Sequence, residues 1–135
     1  MVTSADYLIR RLRLRHLEML VALAETGTMR AAAVRLNLSQ PAMSKMLGEV
    51  EAGFSARLFE RSHQGVQANA LGDAAVHRAR VMLSELARAS DDINALRAGA
   101  SAVLRVGAPS VTAAVPAAIV QLRKRMPAAS VQIRE

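Results

Sequence analysis

Apolar residues recur at steps of three and four along residues 15–26, and this spacing predicts a first helix. The same steps predict a second helix over residues 29–37 and a third over residues 40–52, with a short turn between them. Thr28 and Ser39 stand at the two helix starts, where a hydroxyl oxygen accepts a hydrogen bond from an otherwise unpaired backbone N–H. The pattern therefore predicts a helix-turn-helix that one further helix supports.

Two short strands are predicted next, over residues 57–61 and 65–68, because the residues between them are rich in turn formers. This hairpin would form a wing beside the helix-turn-helix. Asn69 can cap a following helix, and no proline or glycine occurs between residues 73 and 96. The sequence therefore predicts a long helix over residues 70–96.

This long helix carries one apolar stripe whose members alternate steps of three and four, the seam pattern of a coiled coil. The stripe begins at Gly72 and continues through Ala75, Ala79, Met82, Leu86, Ala89, Ile93 and Leu96. A second helix must cover such a seam. Because small residues lie at one end and larger ones at the other, an antiparallel partner would match large against small. These positions, from Ala75 onward, are the candidate dimerisation residues.

A new unit is predicted after Gly99 and Ser101, two residues that favour a flexible connection. A strand over residues 103–106, a helix over 113–126 and a strand over 131–134 make a βαβ start. The predicted fold class is therefore mainly α: a winged helix-turn-helix in residues 1–69, a dimerisation helix in 70–98 and an incomplete α/β domain in 99–135.

The composition excludes some classes of function but does not identify a single one. The net charge of +7 and the pI near 11.4 suit a polyanion, but they also suit a membrane surface. There is no cysteine, the three histidines share no neighbouring ligands, and no catalytic motif is present, so neither an enzyme nor a metal site is expected. Arginines interrupt the amino terminus before a signal-peptide core can form, and the apolar run 111–122 is too short to span a bilayer. A soluble cytoplasmic protein is expected, without a membrane partner.

The head resembles that of the LysR-type transcriptional regulators, which are bacterial. Their pattern is matched in register and without a gap by Ala32-Ala33, Leu36, Ser39-Gln40-Pro41-Ala42, Met43, Ser44, Lys45, Val50-Glu51 and Leu58-Phe59-Glu60-Arg61. Two positions depart from the family: Phe54-Ser55 replaces its usual Leu-Gly, and Ala68-Asn69 replaces its usual Leu-Thr. The resemblance implies a winged helix-turn-helix and a paired linker helix, followed by the start of a periplasmic-binding-protein-like effector domain.

The candidate DNA-reading residues are Gln40, Ser44 and Lys45, which share the exposed side of the third helix if Ala42, Met43 and Leu47 face inward. Glutamine can bridge an adenine edge, and lysine can reach guanine acceptors or a phosphate. The alternative is a polar helix face that only meets water. Pro41 is expected to shape the helix entry, and its contact with DNA would be apolar.

Five further residues are candidates for contact with the DNA backbone. Ser39 and Thr28 are expected to cap helices, although a capping hydroxyl can also lie beside a phosphate. Arg30 either contacts a phosphate or is solvated. Arg61 and the turn that holds His63 would form the tip of the wing; an arginine there suits a narrow minor groove, and the histidine is expected to be solvated. Arg10, Arg11, Arg13 and Arg15 either add electrostatic attraction or form an exposed leader, which is the usual role of such a run.

The resemblance implies a sequence-specific regulator that binds double-stranded DNA at an interrupted inverted repeat as a homodimer, with a tetramer possible in a longer form. No cofactor is expected in this segment, and a small-molecule effector would belong to a completed effector domain. The alternative function is a dimerising protein-interaction module without specific DNA readout.

Overall fold

Ten secondary-structure elements occur in the computed structural model, which describes residues 3–107 and 114–134. The elements are α1 (Ala5–Arg11), α2 (Leu14–Thr26), α3 (Met29–Leu36), α4 (Gln40–Phe54), β1 (Phe59–Ser62), β2 (Gly65–Ala68), α5 (Ala70–Arg97), β3 (Ala102–Gly107), α6 (Ala114–Arg125) and β4 (Ala129–Arg134). They confirm the predicted helix-turn-helix, wing, long helix and βαβ start. The helix predicted to begin at residue 113 is observed from Ala114, and residue 113 lies outside the described residues.

The chain divides into two compact units, Met1–Glu85 and Leu86–Glu135. The division falls within α5, so the helix contributes its first half to one unit and its second half to the other. The predicted domain boundaries after residues 69 and 98 stay predictions.

The core of the first unit lies where α2, α3 and α4 meet. Its large, fully buried side chains come from two of these helices and from the residue before the wing: Met19, Leu20, Leu23, Met43, Leu47, Val50 and Leu58. The helical period predicted an inward stripe of Leu17, Leu20, Val21 and Ala24 for this first helix. Leu17 and Leu20 are buried, whereas Val21 is half-buried and Ala24 is exposed. Ala32 and Ala33 are also buried, and their small side chains let α3 lie close to its neighbours.

Helices α3 and α4 end on residues other than glycine that adopt the left-handed backbone conformation. Asn37 ends α3 with φ 58°, and Ser55 ends α4 with φ 51°. Asparagine enters this region readily, whereas serine does so at a cost in free energy. Beyond Ser55 the chain is held by Glu51, whose Oε1 accepts a hydrogen bond from the Leu58 backbone N–H at 2.8 Å.

The amino-terminal segment, which the sequence indicated as an exposed leader, contains the folded helix α1. Ser4 caps it by accepting a hydrogen bond from the Tyr7 backbone N–H at 3.3 Å. The helix packs on the C-terminal half of α4 at Gly53, where an added Cβ would lie 3.6 Å from the Leu8 side chain. The Thr3 hydroxyl also donates a hydrogen bond to the Phe54 carbonyl at 3.3 Å. The arginines that follow therefore project from a folded segment.

The start of α5 is fixed to the wing. Asn69 Oδ1 accepts a hydrogen bond from the Gly72 N–H at 2.9 Å, which confirms the predicted cap. An added Cβ on Gly72 would lie 2.0 Å from the Leu58 carbonyl oxygen, so only glycine permits this approach. Val76 and Ala79 are buried in the core of the first unit. The first part of the predicted seam therefore covers the chain's own core.

In the second unit, β3 and β4 form a parallel pair in which Leu104 lies opposite Val131. Helix α6 connects the two strands, as a parallel pair requires. Arg105 on β3 pairs with Asp92 on α5, and its Nη2 donates to the Arg88 carbonyl at 3.0 Å.

Candidate nucleic-acid interface

Helix α4 presents a polar face over a completely buried one. Met43 and Leu47 are 0% and 2% exposed, whereas Gln40 and Pro41 are exposed and Ser44 is half-buried. The Lys45 side chain is 79% exposed. Because the apolar side of α4 is buried in the core, the rotation of the helix is fixed and its polar side chains are held on the opposite side. Gln40, Ser44 and Lys45 therefore have accessible surface opposite Met43 and Leu47, as the sequence predicted, whereas Ala42, which was also expected to face inward, is only half-buried. That these side chains read DNA stays a prediction.

Both helices of the helix-turn-helix begin on the predicted caps. The Ser39 Oγ accepts a hydrogen bond from the Ala42 N–H at 3.2 Å, and the Thr28 Oγ1 accepts one from the Ala31 N–H at 3.1 Å. Thr28 and Ser39 are both exposed, and so is Arg30 at the start of α3. Capping is thus confirmed, while contact of these three residues with DNA stays a prediction.

The wing is a two-stranded antiparallel hairpin with Arg61 opposite Val66. Val66 is buried and its N–H donates a hydrogen bond to the Gly27 carbonyl at 2.8 Å. Gly65 has a φ of 119°, and an added Cβ there would lie 2.3 Å from the same carbonyl oxygen. Arg61 and His63 are exposed. The hairpin is therefore hydrogen-bonded, close to its own turn, to the end of α2.

Sequence reasoning missed a chain of polar groups that begins at a buried histidine. The His16 side chain is 7% exposed; its Nδ1 accepts the Arg13 N–H at 2.9 Å, and its Nε2 lies 3.0 Å from Glu49 Oε2. Because Nδ1 is an acceptor, the imidazole proton is on Nε2, and Nε2–H donates a hydrogen bond to Glu49. The other Glu49 oxygen lies 4.0 Å from Lys45 Nζ. Glu49 thus connects the buried imidazole to a candidate DNA-reading side chain.

The hydrogen bond from His16 lowers the pKa of Glu49 below its ordinary value of 4.5, and the positive charges of Lys45 and Arg13 act in the same direction. Partial desolvation opposes them but does not prevail. Glu49 is therefore ionised at neutral pH. The sequence signal for the role of Glu49 was weak, namely an acidic residue one helical turn after Lys45.

A cleft of about 870 Å³ lies between the α1–α2 segment and α4. Its charged lining is Arg11, Arg13, Arg15, Lys45 and Glu49, so four cations meet one carboxylate. Arg15 also donates a hydrogen bond to the Leu36 carbonyl at 3.2 Å. The arginines that the sequence indicated as a leader therefore border the candidate DNA-reading helix.

The candidate dimerisation residues fall into two groups. Ala79 is completely buried and Ala75 is half-buried against the core of the first unit, so Ala79 offers no surface to a partner. The remaining five are Met82, Leu86, Ala89, Ile93 and Leu96. The four large ones are 47% to 53% exposed, which is high for apolar side chains along one helix. Pairing through this stripe stays a prediction.

Within the described residues no three acidic, histidine or cysteine side chains converge on a common point that would hold a metal ion. No described helix is long and apolar enough to cross a membrane.

The chain is similar to known regulators over most of its length. It is 42% identical over 113 residues to the HTH-type transcriptional regulator GbpR of Azospirillum brasilense, covering 82% of this chain and 33% of that protein. It is 38% identical over 126 residues to the regulator YdcI of Escherichia coli, covering 92% of this chain and 41% of the relative. The chain thus spans about a third of the length of the first curated relative it matches.

Among solved structures, the complex of the CbnR DNA-binding domain with DNA aligns with a TM-score of 0.61 and 37% identity, covering 64% of this chain and 99% of that domain. Residues 14–73 match the model of the bacterial regulatory helix-turn-helix proteins of the lysR family. That family consists of transcriptional regulators and not of enzymes. The observed helix-turn-helix, wing and long helix, together with these matches, place the chain in the lysR family.

Proposed function

We propose that this chain is the DNA-binding and pairing part of a LysR-type transcriptional regulator that reads a specific duplex sequence. The observation that carries the proposal is the face of α4, where Gln40, Ser44 and Lys45 are accessible together above a fully buried side. An α-helix fits the major groove of B-DNA, and these side-chain types pair with base edges or phosphates there.

The wing supports the proposal from a second element. Arg61 and His63 are exposed on a hairpin that is hydrogen-bonded to Gly27 close to its turn. With α4 in the major groove, the wing tip would contact the backbone or the minor groove, where an arginine suits a narrow and strongly negative groove. The similar CbnR domain, solved as a complex with DNA, also supports this assignment.

Pairing is the second part of the proposal. The exposed stripe Met82, Leu86, Ala89, Ile93 and Leu96 would be covered by the same stripe of a second copy, giving a homodimer. Two heads related by symmetry bind two related half-sites, so the operator would be an interrupted inverted repeat. A cytoplasmic location and response to a small-molecule effector belong to the same proposal, and the effector site would lie in a domain that β3, α6 and β4 begin.

Selection from a pool of random duplexes, followed by a salt titration of the selected sequence, tests this function. We expect one recurring inverted repeat, bound with an affinity that falls steeply as salt rises, because each neutralised phosphate contributes a slope of about 0.9 in log K against log salt. A protein-interaction module would instead bind an apolar partner with little response to salt. Failure to enrich any duplex at low salt would contradict the proposal.

A further inference from the structure

We propose that the arginine-lined cleft between the α1–α2 segment and α4 is a second DNA-contact surface, which binds the phosphates of the backbone strand that flanks the occupied major groove. This inference rests on the proposed DNA-binding function and adds a contact outside the helix-turn-helix and the wing. Arg11 and Arg13 are its main residues, and both precede residue 14, where the family match begins.

The wall that carries these arginines is folded. Helix α1 is capped by Ser4, and Leu8 packs at Gly53 of α4. Leu12 approaches the same glycine, with 3.9 Å between its side chain and an added Cβ. Helix α1 and the residue after it therefore pack directly against α4 at Gly53. An arginine on a fixed segment loses less conformational entropy on binding a phosphate than one on a loose leader.

The cleft continues the DNA-reading face of α4. Its floor is formed by Lys45, Glu49 and Ala52, which follow one another at steps of four and three along the helix. A helix in the major groove lies between two phosphate backbones, so groups beside its length meet phosphates and not base edges. Arg11 and Arg13 stand beside α4 in this position.

Both arginines are accessible to an anion. Within the described part of the chain neither forms an ion pair, and both residues are exposed. The Arg11 guanidinium lies over the Tyr7 ring at 4.9 Å from its centroid, an arrangement that orients the side chain and leaves its charge in place.

The single carboxylate in the cleft does not cancel this charge. Glu49 accepts the hydrogen bond from His16, and its second oxygen lies 4.0 Å from Lys45. Its negative charge interacts with Lys45 and Arg13 and offsets part of their positive charge. Four cations against one carboxylate still leave a positive excess that attracts a polyanion.

The test compares the salt dependence of duplex binding in the full chain and in Arg11→Gln/Arg13→Gln. The variant should lower the slope of log K against log salt by about one to two units, because each phosphate that an arginine neutralises contributes about 0.9 to that slope. The matched control Arg10→Gln/Arg97→Gln removes the same charge from exposed residues outside the cleft and should keep the wild-type slope. Arg11→Lys/Arg13→Lys keeps the charge and should restore most of the slope.

Phosphate-ethylation interference on the selected duplex gives a second readout. Wild-type protein should be blocked by ethylation at flanking phosphates where the Gln variant is insensitive, while interference at the helix-turn-helix contacts is unchanged. The inference is overturned if the Gln variant keeps the wild-type slope, if the control shows an equal decrease, or if the interference patterns coincide. Absence of any wild-type duplex binding is a different result, which removes the proposed function itself and the inference with it.

Discussion

Nε2 of the buried His16 donates a hydrogen bond to Glu49 Oε2 at 3.0 Å, and this contact ties the start of α2 to the middle of α4. Neither residue belongs to the positions on which the family resemblance was based. Their contact nevertheless fixes the carboxylate one turn beyond Lys45, with 4.0 Å between the charged atoms. The orientation of α4 and the environment of its lysine therefore depend on the same pair.

Glu49→Ala is expected to reduce stability in a pH-dependent manner. The pKa of Glu49 is lowered in the folded protein, so its stabilising effect is fully present above the ordinary value of 4.5 and is lost as pH falls through the lowered pKa. The difference in unfolding free energy between wild type and variant should therefore be constant near neutral pH and shrink below pH 4.5. Urea unfolding across this range measures it; a difference that grows toward acid pH would contradict the assignment.

Gln40→Ala and Lys45→Ala should each weaken specific DNA binding by about 1 to 3 kcal/mol if the side chains read bases. Each substitution should also relax the sequence preference at one position of the half-site, which selection with the variant proteins would reveal. The exposed Gln67 on β2 offers a control, because Gln67→Ala removes the same side chain away from α4. Unchanged affinity and unchanged selected sequences for both variants would remove the assignment of these residues.

Ser55→Gly is expected to stabilise the first unit. Serine holds a left-handed conformation with φ 51°, which costs about 1 to 2 kcal/mol for a residue with a Cβ. Glycine also raises the conformational entropy of the unfolded chain, which offsets part of this stabilisation. We therefore expect a net gain in unfolding free energy of about 0.5 to 1 kcal/mol. Asn37→Gly is the matched control at φ 58° and should gain less, because asparagine tolerates this region. Thermal and urea unfolding measure both; equal gains would show that the backbone conformation is not the cause.

Leu86→Asp should break the proposed homodimer. Leu86 is 51% exposed in the single chain, and pairing through the stripe would enclose the new carboxylate in an apolar seam. Val81→Asp places the same charge on an apolar α5 residue that is 41% exposed and lies outside the stripe, so it should leave the dimer intact. Sedimentation velocity distinguishes the species, and an intact Leu86→Asp dimer would exclude this seam.

The elements that the sequence predicted are those with local signals. Thr28, Ser39 and Asn69 each stand where a capping oxygen is needed, and each makes the expected hydrogen bond. The inward face of α4 was likewise predictable, because Met43 and Leu47 follow the helical period.

What the sequence did not reveal depends on contacts between distant segments. Helix α1 has seven residues, too few for a clear apolar period, and it is stabilised by packing against α4 at Gly53. The stripe of α5 shows the other limit: its period predicts that the stripe is covered, but does not say by what. Its first part, at Gly72 and Ala79, is covered by the chain's own core.

The hydrogen bond between the Val66 N–H and the Gly27 carbonyl has a consequence for binding kinetics. It joins the wing, close to its turn, to the residue that ends α2, so the wing and the helix-turn-helix keep one separation before any duplex arrives. A preorganised pair of contacts forms in a single docking event without a slow closing step. Association should therefore follow single-exponential kinetics with a rate proportional to DNA concentration.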